Sequence, residues 1–271
     1  MSNFIALSKN SKDNFITAFA NGSGGEVVNQ TDFIYEQSSK PIALRGINKR
    51  QIIHKCWEDN RDFYFMDTGY FANYSTKDNP KGVKRWHRIV KNNVQHIGSI
   101  IDRPTDRWDN LQKEFPKLRW TGWKKGGKKI LLVVPSEKPC KFYGIDLNQW
   151  IHETVEEIKK YTSRPIEIRS KPEFRLERVL KFTIYDNLDQ DVYALVTYNS
   201  IAAVEAIAYG IPSFTLAPNA AGSLALSDLS KIETPLYADP ELVHKWCCHL
   251  AYGQFHNDEL SNGNAWRILS S

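Results

Sequence analysis

The sequence predicts an α/β protein made of two Rossmann-like lobes that face a central cleft, and two features of its second half carry this prediction. Residues 130–134 form a continuous apolar run, as expected for a strand that a parallel sheet buries on both faces. Segments with helical and strand-like patterns then alternate along the chain, which is typical of a Rossmann-like layer. The length of 271 residues has room for two such layers.

Local signals place the elements of the second half. Asp146 can cap a helix and Gln149 lies three residues further on, as in a capping box. Apolar residues then recur at helical spacing, so a helix is predicted over 147–161, and the segment 135–144 before it is predicted as a loop. Helix-end signals and apolar runs predict further strands over 165–169, 192–197 and 213–216, and helices over 201–209 and from 240 onward.

The first half has a more mixed pattern. Its apolar and aromatic runs predict a helix around 52–57 and strands over 4–7, 15–20, 41–47, 62–67 and 86–90. The pair Gly126-Gly127 is the best linker signal in the chain. We therefore expect one lobe over 1–127 and a second over 128–271.

Composition excludes several classes of protein. The chain is 41% apolar, 12% aromatic and 25% charged, which argues against a disordered, collagen-like or coiled-coil chain. The longest apolar run, 130–134, is too short to span a membrane, and the first residues lack the layout of a signal peptide. The four cysteines form no CxxC pair, and we interpret them as thiols of a reduced, cytoplasmic compartment.

Charge is distributed unevenly along the chain. Residues 1–129 hold 23 Lys and Arg against 13 Asp and Glu, whereas residues 130–271 hold 13 against 18. Two basic stretches dominate, one over 81–91 and one over 113–129, and the second contains two tryptophans. Basic residues beside aromatic ones suit contact with phosphates and stacking on bases, so a nucleic acid is a candidate partner. The alternative is a solvated basic face with partly buried tryptophans.

The segment 196–212 holds the most informative pattern. A predicted strand ends at Asn199 and Ser200, and a helix that contains Glu205 begins there. Free N–H groups and the helix dipole favour a phosphate at such a position, on the edge of an open α/β sheet where ligands bind. The alternative is ordinary capping of the helix by Asn199 or Ser200.

This arrangement, followed by Gly210-Ile211-Pro212 and a strand, resembles the nucleotide-sugar half of GT-B glycosyltransferases. It is especially similar to phage enzymes that modify hydroxymethylpyrimidines in DNA and to capsule-type sugar transferases. Residues 168–172 resemble the Arg/Lys-x-His-Pro turn that contacts the donor phosphate, with Lys171 where histidine is usual. Residues 135–138 stand where such enzymes often place a donor-contacting loop.

The resemblance implies a GT-B-like arrangement, with the donor bound by the lobe over 128–271 and the acceptor by the basic lobe over 1–127. The expected donor is a nucleotide sugar, a UDP-sugar first of all, and no further cofactor is expected. Its expected contacts are Ser136, Lys138, Arg169, Lys171, Asn199, Ser200 and Glu205. If the protein is phage-encoded, the expected location is the host cytoplasm.

Asp67 is the candidate catalytic base. It ends a predicted strand of the first half, and a strand-end carboxylate at a cleft can take the proton from an attacking acceptor hydroxyl. The alternative is an Asp-initiated turn in which Gly69 supplies the unusual backbone angle. The acceptor is expected to contact residues of the two basic stretches, namely Lys84, Arg85, His87, Arg88, Trp120 and Trp123.

No metal site is predicted. Asp189-Gln190-Asp191 spells the DxD of metal-dependent GT-A glycosyltransferases, but it precedes a predicted buried strand, and a polar turn is the better account. The sequence also lacks the HExxH, GxGxxG, Walker A and GxSxG motifs. The leading hypothesis is sugar transfer to a hydroxymethylated pyrimidine in phage DNA. The alternatives are transfer to a surface polysaccharide or glycan, and a non-catalytic nucleic-acid-binding protein.

Overall fold

The computed structural model describes residues 3–9, 13–72, 86–170 and 184–271, and these ranges contain ten strands and ten helices. The strands are β1 (Ile5–Ser8), β2 (Glu26–Asn29), β3 (Ile42–Arg45), β4 (Phe63–Thr68), β5 (His87–Lys91), β6 (Lys129–Val133), β7 (Ile166–Arg169), β8 (Val192–Thr197), β9 (Ser213–Thr215) and β10 (Gln254–Phe255). The helices are α1 (Asn14–Ser23), α2 (Arg50–Glu58), α3 (Asp106–Glu114), α4 (Glu137–Tyr143), α5 (Leu147–Lys159), α6 (Ile184–Leu188), α7 (Ala202–Ala208), α8 (Pro240–Tyr252), α9 (Asn257–Ser261) and α10 (Asn264–Ser270).

The chain divides into two compact units. The described residues up to 72, with 86–96 and 252–271, form the first unit, and residues 97–170 and 184–251 form the second. None of the helices in the described ranges is long and apolar enough to cross a bilayer.

Gly126-Gly127, where the sequence analysis placed the boundary, lies within the second unit. A Cβ atom on Gly127 would lie 2.2 Å from the carbonyl carbon and oxygen of Val192, at the start of β8. This glycine is therefore required because two backbone segments pack closely, and not because the chain bends freely there. Residues 97–127 consequently belong to the second unit.

The first unit is built on a six-stranded sheet in the order β10-β5-β4-β3-β1-β2. Strands β1 to β4 run parallel to their neighbours, β5 is antiparallel to β4, and β10 is antiparallel to β5. The strands predicted over 4–7, 41–47, 62–67 and 86–90 are all present in this sheet. The carboxyl ends of the four parallel strands therefore share one edge of the sheet.

Residues 15–20, predicted as a strand, belong to helix α1. Ile16, Phe19 and Ala20 are buried, and their spacing places them on one helical face. Gly24 follows the helix with a φ of 67°, a left-handed conformation that favours glycine. The strand prediction was wrong because aromatic residues raise the strand propensity of the segment, whereas its burial follows the helical period.

The C-terminal helices α9 and α10 pack against α1 within the first unit. The ring of Trp266 in α10 lies 5.4 Å from the ring of Phe4, which lies 5.0 Å from the ring of Phe19. The backbones also approach closely, because a Cβ atom on Gly22 would lie 2.1 Å from the carbonyl oxygen of Leu260. The last part of the chain thus completes the core of the first unit.

The second unit contains a parallel sheet in the order β7-β6-β8-β9. The apolar run forms β6, as predicted. Its residues Ile130, Leu131 and Leu132 are fully buried, and the strand lies between β7 and β8. Helix α5 begins as predicted, since the backbone N–H of Gln149 donates to the carboxylate of Asp146 at 2.9 Å.

The predicted loop over 135–144 contains helix α4. Pro139 lies in its first turn, where proline is tolerated because the missing N–H would have no partner within the helix. Gly144 ends the helix with a φ of 69°. The loop prediction was therefore wrong, because a proline in the first turn is compatible with a helix.

Replacing Gly22 with alanine should destabilise the protein, because the new Cβ atom would overlap the backbone of Leu260. We expect the free energy of unfolding to fall by about 1–3 kcal/mol, the usual cost of overpacking, in chemical denaturation experiments. Gly126→Ala is the matched control, since a Cβ atom there meets nothing within 4 Å. Equal stability of the two variants would contradict the close packing of α1 and α9.

Candidate functional site

The carboxyl edge of the parallel sheet in the second unit brings together four segments. Ser136 follows β6, Arg169 ends β7, Asn199 and Ser200 follow β8, and Asn219 follows β9. Ligands of open α/β sheets bind at this edge. The residues predicted as donor contacts in these segments therefore share an edge, although they are spread over more than sixty positions of the sequence.

The turn after β8 forms hydrogen bonds with the first residues of the helix that follows it. The hydroxyl of Ser200 accepts from the N–H of Ala202 at 3.2 Å, and its carbonyl accepts from Ala203 at 3.2 Å. The carbonyl of Ile201 accepts from Val204 at 2.8 Å. The N–H groups of the first three residues of α7 are thus used within the chain, although the residue directly before the helix is Ile201 and it caps the helix with no side-chain hydrogen bond. A phosphate at this turn would have to be held by side chains, since the helix end offers few free donors.

A second asparagine stabilises the turn. The side chain of Asn219 donates to the carbonyl of Ser200 at 3.0 Å and accepts from the N–H of Ala221 at 2.8 Å. The hydroxyl of Thr197 donates to the carbonyl of Val133 at 2.7 Å, which ties the end of β8 to the end of β6. Asn219 and Thr197 are both buried, so their hydrogen bonds hold the backbone at this edge in place.

Arg169 is the main cation of this edge. Its Nε donates to the side chain of Asn187 in α6 at 2.7 Å. Burial lowers the pKa of the Arg169 guanidinium, while the carboxylates of Glu205 and Asp186 act in the opposite direction. An arginine stays charged at neutral pH even so. The edge therefore holds a partly buried, oriented positive charge on Arg169, close to Glu205. Both residues were predicted to contact the donor.

The other predicted donor contacts have different surroundings. Ser136 precedes the first residue of α4, and Lys138 lies exposed in its first turn. Asn199 is buried beneath the turn. Lys171 lies outside the described residues.

An aromatic group at the same edge was not singled out by sequence reasoning. The ring of Tyr198 lies 5.5 Å from the ring of Tyr143 and 6.1 Å from the ring of Trp150. Burial raises the pKa of the Tyr198 hydroxyl. The signal available in the sequence was the position of Tyr198, directly before Asn199, but Tyr143 and Trp150 lie about fifty residues away.

In the first unit, Asp67 lies beside Arg88 of the neighbouring strand. One carboxylate oxygen of Asp67 is 3.5 Å from Nη2 of Arg88, and the other accepts from the N–H of Thr68 at 2.8 Å. Arg88 is buried and also donates to the carbonyl of Thr68, whereas 40% of the Asp67 side chain is exposed. The carboxylate at the end of β4 is therefore oriented, accessible and partly balanced in charge.

A second charged group lies on the other face of the same strands, and of its members only His87 was singled out in the sequence. Nη1 of Arg45 is 3.2 Å from the carboxylate of Asp13, and its Nη2 is 3.2 Å from Nε2 of His87. Arg45 is in register with Met66, one residue from Asp67, which places Arg45 and Asp67 on opposite faces. No local pattern could reveal this group, because its members are 32 and 42 positions apart.

The predicted acceptor contacts are divided between the two units. His87 and Arg88 are buried in the first unit, and Lys84 and Arg85 lie outside the described ranges. Trp120 and Trp123 belong to the second unit and lie 5.2 Å apart, ring to ring. The N–H of the next residue, Lys124, donates to Gly210 at the end of the sheet opposite Arg169.

No cluster of three or more His, Cys, Asp or Glu side chains suited to a metal ion occurs within the described ranges. Asp189, the first residue of the DxD sequence, instead accepts from Lys117 at 3.0 Å and from the hydroxyl of Tyr209.

Comparison with known proteins identifies the fold. No family model matches the chain, and no curated protein matches its sequence. Among solved structures, the chain is similar to the β-Kdo 2,7-transferase of KpsC from Thermosulfurimonas dismutans, with a TM-score of 0.54 and 13% identity over 100% of both chains. It is also similar to the β-Kdo 2,4-transferase of the same KpsC, with a TM-score of 0.52 and 10% identity over 92% of this chain and 90% of that one. These similarities confirm the predicted α/β class and a glycosyltransferase-like fold.

Replacing Asn219 with alanine should loosen the candidate donor edge, because the buried N–H of Ala221 would lose its acceptor. We expect a loss of about 1–3 kcal/mol in the free energy of unfolding and faster hydrogen exchange at the Ala221 amide. Asn148→Ala, at an exposed position of α5, is the control and should change neither. Unchanged exchange at Ala221 in the Asn219 variant would show that this contact does not hold the turn.

Proposed function

We propose that the protein is a glycosyltransferase that moves a sugar from an activated donor to a saccharide acceptor of the surface-polysaccharide or capsule type. The observation that carries this proposal is the similarity of fold to two Kdo transferases along almost the whole chain. The candidate site adds independent support, because an oriented arginine and several polar side chains share the sheet edge where ligands of such folds bind.

The donor in this proposal is a nucleotide sugar held at the carboxyl edge of the second unit. Arg169 would stabilise the negative charge that develops on the leaving phosphate. The hydroxyls of Ser136 and Ser200 can each donate a hydrogen bond to a phosphate oxygen, and Glu205 can accept from a sugar hydroxyl. A UDP-sugar is the first donor to test.

Asp67 would act in the first unit as the general base. Its carboxylate would take the proton from the acceptor hydroxyl while that oxygen attacks the anomeric carbon of the sugar. Its exposure and its fixed orientation by Thr68 and Arg88 support this role.

A hydroxymethylated pyrimidine in DNA is the second candidate acceptor, and the excess of basic residues over 1–129 favours it. A saccharide is the better candidate, because both similar structures are Kdo transferases and because two of the basic residues chosen for DNA contact, His87 and Arg88, are buried.

The donor site can be tested by thermal denaturation with a panel of nucleotide sugars. A donor that binds only the folded protein stabilises it by about 2.7 kcal/mol at a hundred times its dissociation constant. Arg169→Ala should weaken that donor about tenfold or more, because a charge-assisted hydrogen bond to phosphate is lost. Arg119→Ala, at an exposed arginine of the same unit, is the control. Absence of any shift across the panel would overturn the proposed function.

Transfer itself can be followed by mass spectrometry, with a Kdo-ended oligosaccharide and hydroxymethylated duplex DNA as competing acceptors. We expect product on the oligosaccharide, and a fall in turnover of about 10²- to 10⁴-fold in Asp67→Asn with donor binding retained. Asp62→Asn is the matched control, since its side chain is 42% exposed at the other end of β4. Full activity of Asp67→Asn would exclude it as the base, and product on DNA alone would favour the second candidate.

A further inference from the structure

The first unit holds an arginine that is fixed on three sides. Asp13, at the start of α1, has a side chain only 7% exposed, and its carboxylate accepts from Arg45 without capping the helix. The ring of Phe15 lies 5.1 Å from the guanidinium carbon of Arg45. Because a buried carboxylate is strongly destabilised without a partner, Asp13 keeps Arg45 in place.

His87 fixes the remaining arm of the guanidinium. It is fully buried, and its ring lies 3.8 Å from the ring of Phe15. A guanidinium can only donate hydrogen bonds, so Nε2 of His87, 3.2 Å from Nη2 of Arg45, is the acceptor in this contact. His87 therefore helps to orient Arg45.

Within the part of the chain that the structure describes, the polar contacts of Arg45 leave some of its N–H donors available. A guanidinium carries more N–H donors than the contacts with Asp13 and His87 use. The side chain is 35% exposed and stands at the carboxyl end of β3. A Cβ atom built on the next residue, Gly46, would meet no atom of the described residues within 4 Å.

We propose that Arg45 is a carboxylate-binding residue, and that it recognises the acid group of a sugar substrate. A planar guanidinium held in one orientation matches a carboxylate with two parallel hydrogen bonds, and little side-chain entropy remains to be lost on binding. This inference rests on the proposed function, because the similar structures are transferases of Kdo, a sugar that carries a carboxylate. The chemical class of substrate assigned to the first unit is thus an acidic sugar.

The experiment compares the binding of free Kdo, the C1 amide of Kdo and inorganic phosphate to the full chain by ligand-detected NMR. The wild-type protein should bind the acid about tenfold more tightly than the amide, because one charge-assisted contact separates the two ligands. Arg45→Lys keeps the charge and loses the planar fork, so it should retain only part of this preference. Arg267→Gln, at an exposed arginine of α10, is the control and should keep all of it.

Removing Arg45 alone would leave Asp13 buried and unpaired, and the chain could fail to fold. The double variant Asp13→Asn/Arg45→Gln replaces the ion pair with two neutral amides and should abolish the preference for the acid while it keeps the nucleotide-sugar stabilisation of the second unit. A wild-type protein without the preference, or a double variant that retains it, overturns the proposal. Phosphate binding that disappears in the double variant without any acid preference assigns the site to phosphate and overturns it as well.

The two proposals fail in different ways. If no nucleotide sugar stabilises the wild-type protein, the proposed function fails, while the preference of Arg45 for the acid over the amide is still measured directly. If nucleotide sugars stabilise the protein and the acid and amide bind equally, only the carboxylate site fails. Loss of nucleotide-sugar stabilisation in the double variant would place Arg45 in donor binding or folding, and would overturn its assignment to a sugar carboxylate.

Discussion

The parallel pairing of β6 with β7 and β8 is the constraint on which the candidate donor site depends. Parallel strands place all their carboxyl ends at one edge, so the residues that follow them gather there whatever their distance in sequence. The pairing itself follows from the apolar run of β6, which is buried on both faces and cannot lie at the surface. Hydrogen bonds then fix the backbone at that edge: Thr197 at the end of β8 donates to Val133, and Asn219 after β9 donates to Ser200.

The fold was predictable where its causes are local. The strand at β6 and the start of α5 follow from an apolar run and from the Asp146 cap, each contained within a few residues. Helix α1 was not predictable in the same way, because its apolar face is defined by contacts with α9 and α10, more than two hundred residues later. The same reason applies to the site: the turn after β8 was visible as a motif, whereas the contacts of Arg45 with Asp13 and His87 join residues that no short pattern relates.

Several basic residues among the described part of the first 129 positions have partners within the protein. Arg88 is buried beside Asp67, Lys91 is 2.9 Å from Asp62, and Lys117 is 3.0 Å from Asp189. The ammonium of Lys124 lies 3.0 Å from the ring centroid of Tyr209, and burial lowers the pKa of this lysine. Each of these cations thus has a partner within the protein, and a net balance read from the sequence does not show which basic residues are available to a polyanionic partner.

Each unit uses the same physical device at the carboxyl edge of its parallel strands. Arg169 at the end of β7 is oriented by Asn187, and Arg45 at the end of β3 is oriented by Asp13 and His87. Holding an arginine partly out of water costs desolvation energy, and an apolar pair of the same size would stabilise the core at least as well. The benefit is a guanidinium that is already oriented before an anion binds, so less side-chain entropy is lost on binding. A chain with one oriented arginine in each unit thus presents two preorganised guanidinium groups, and each has the geometry that suits an anionic group.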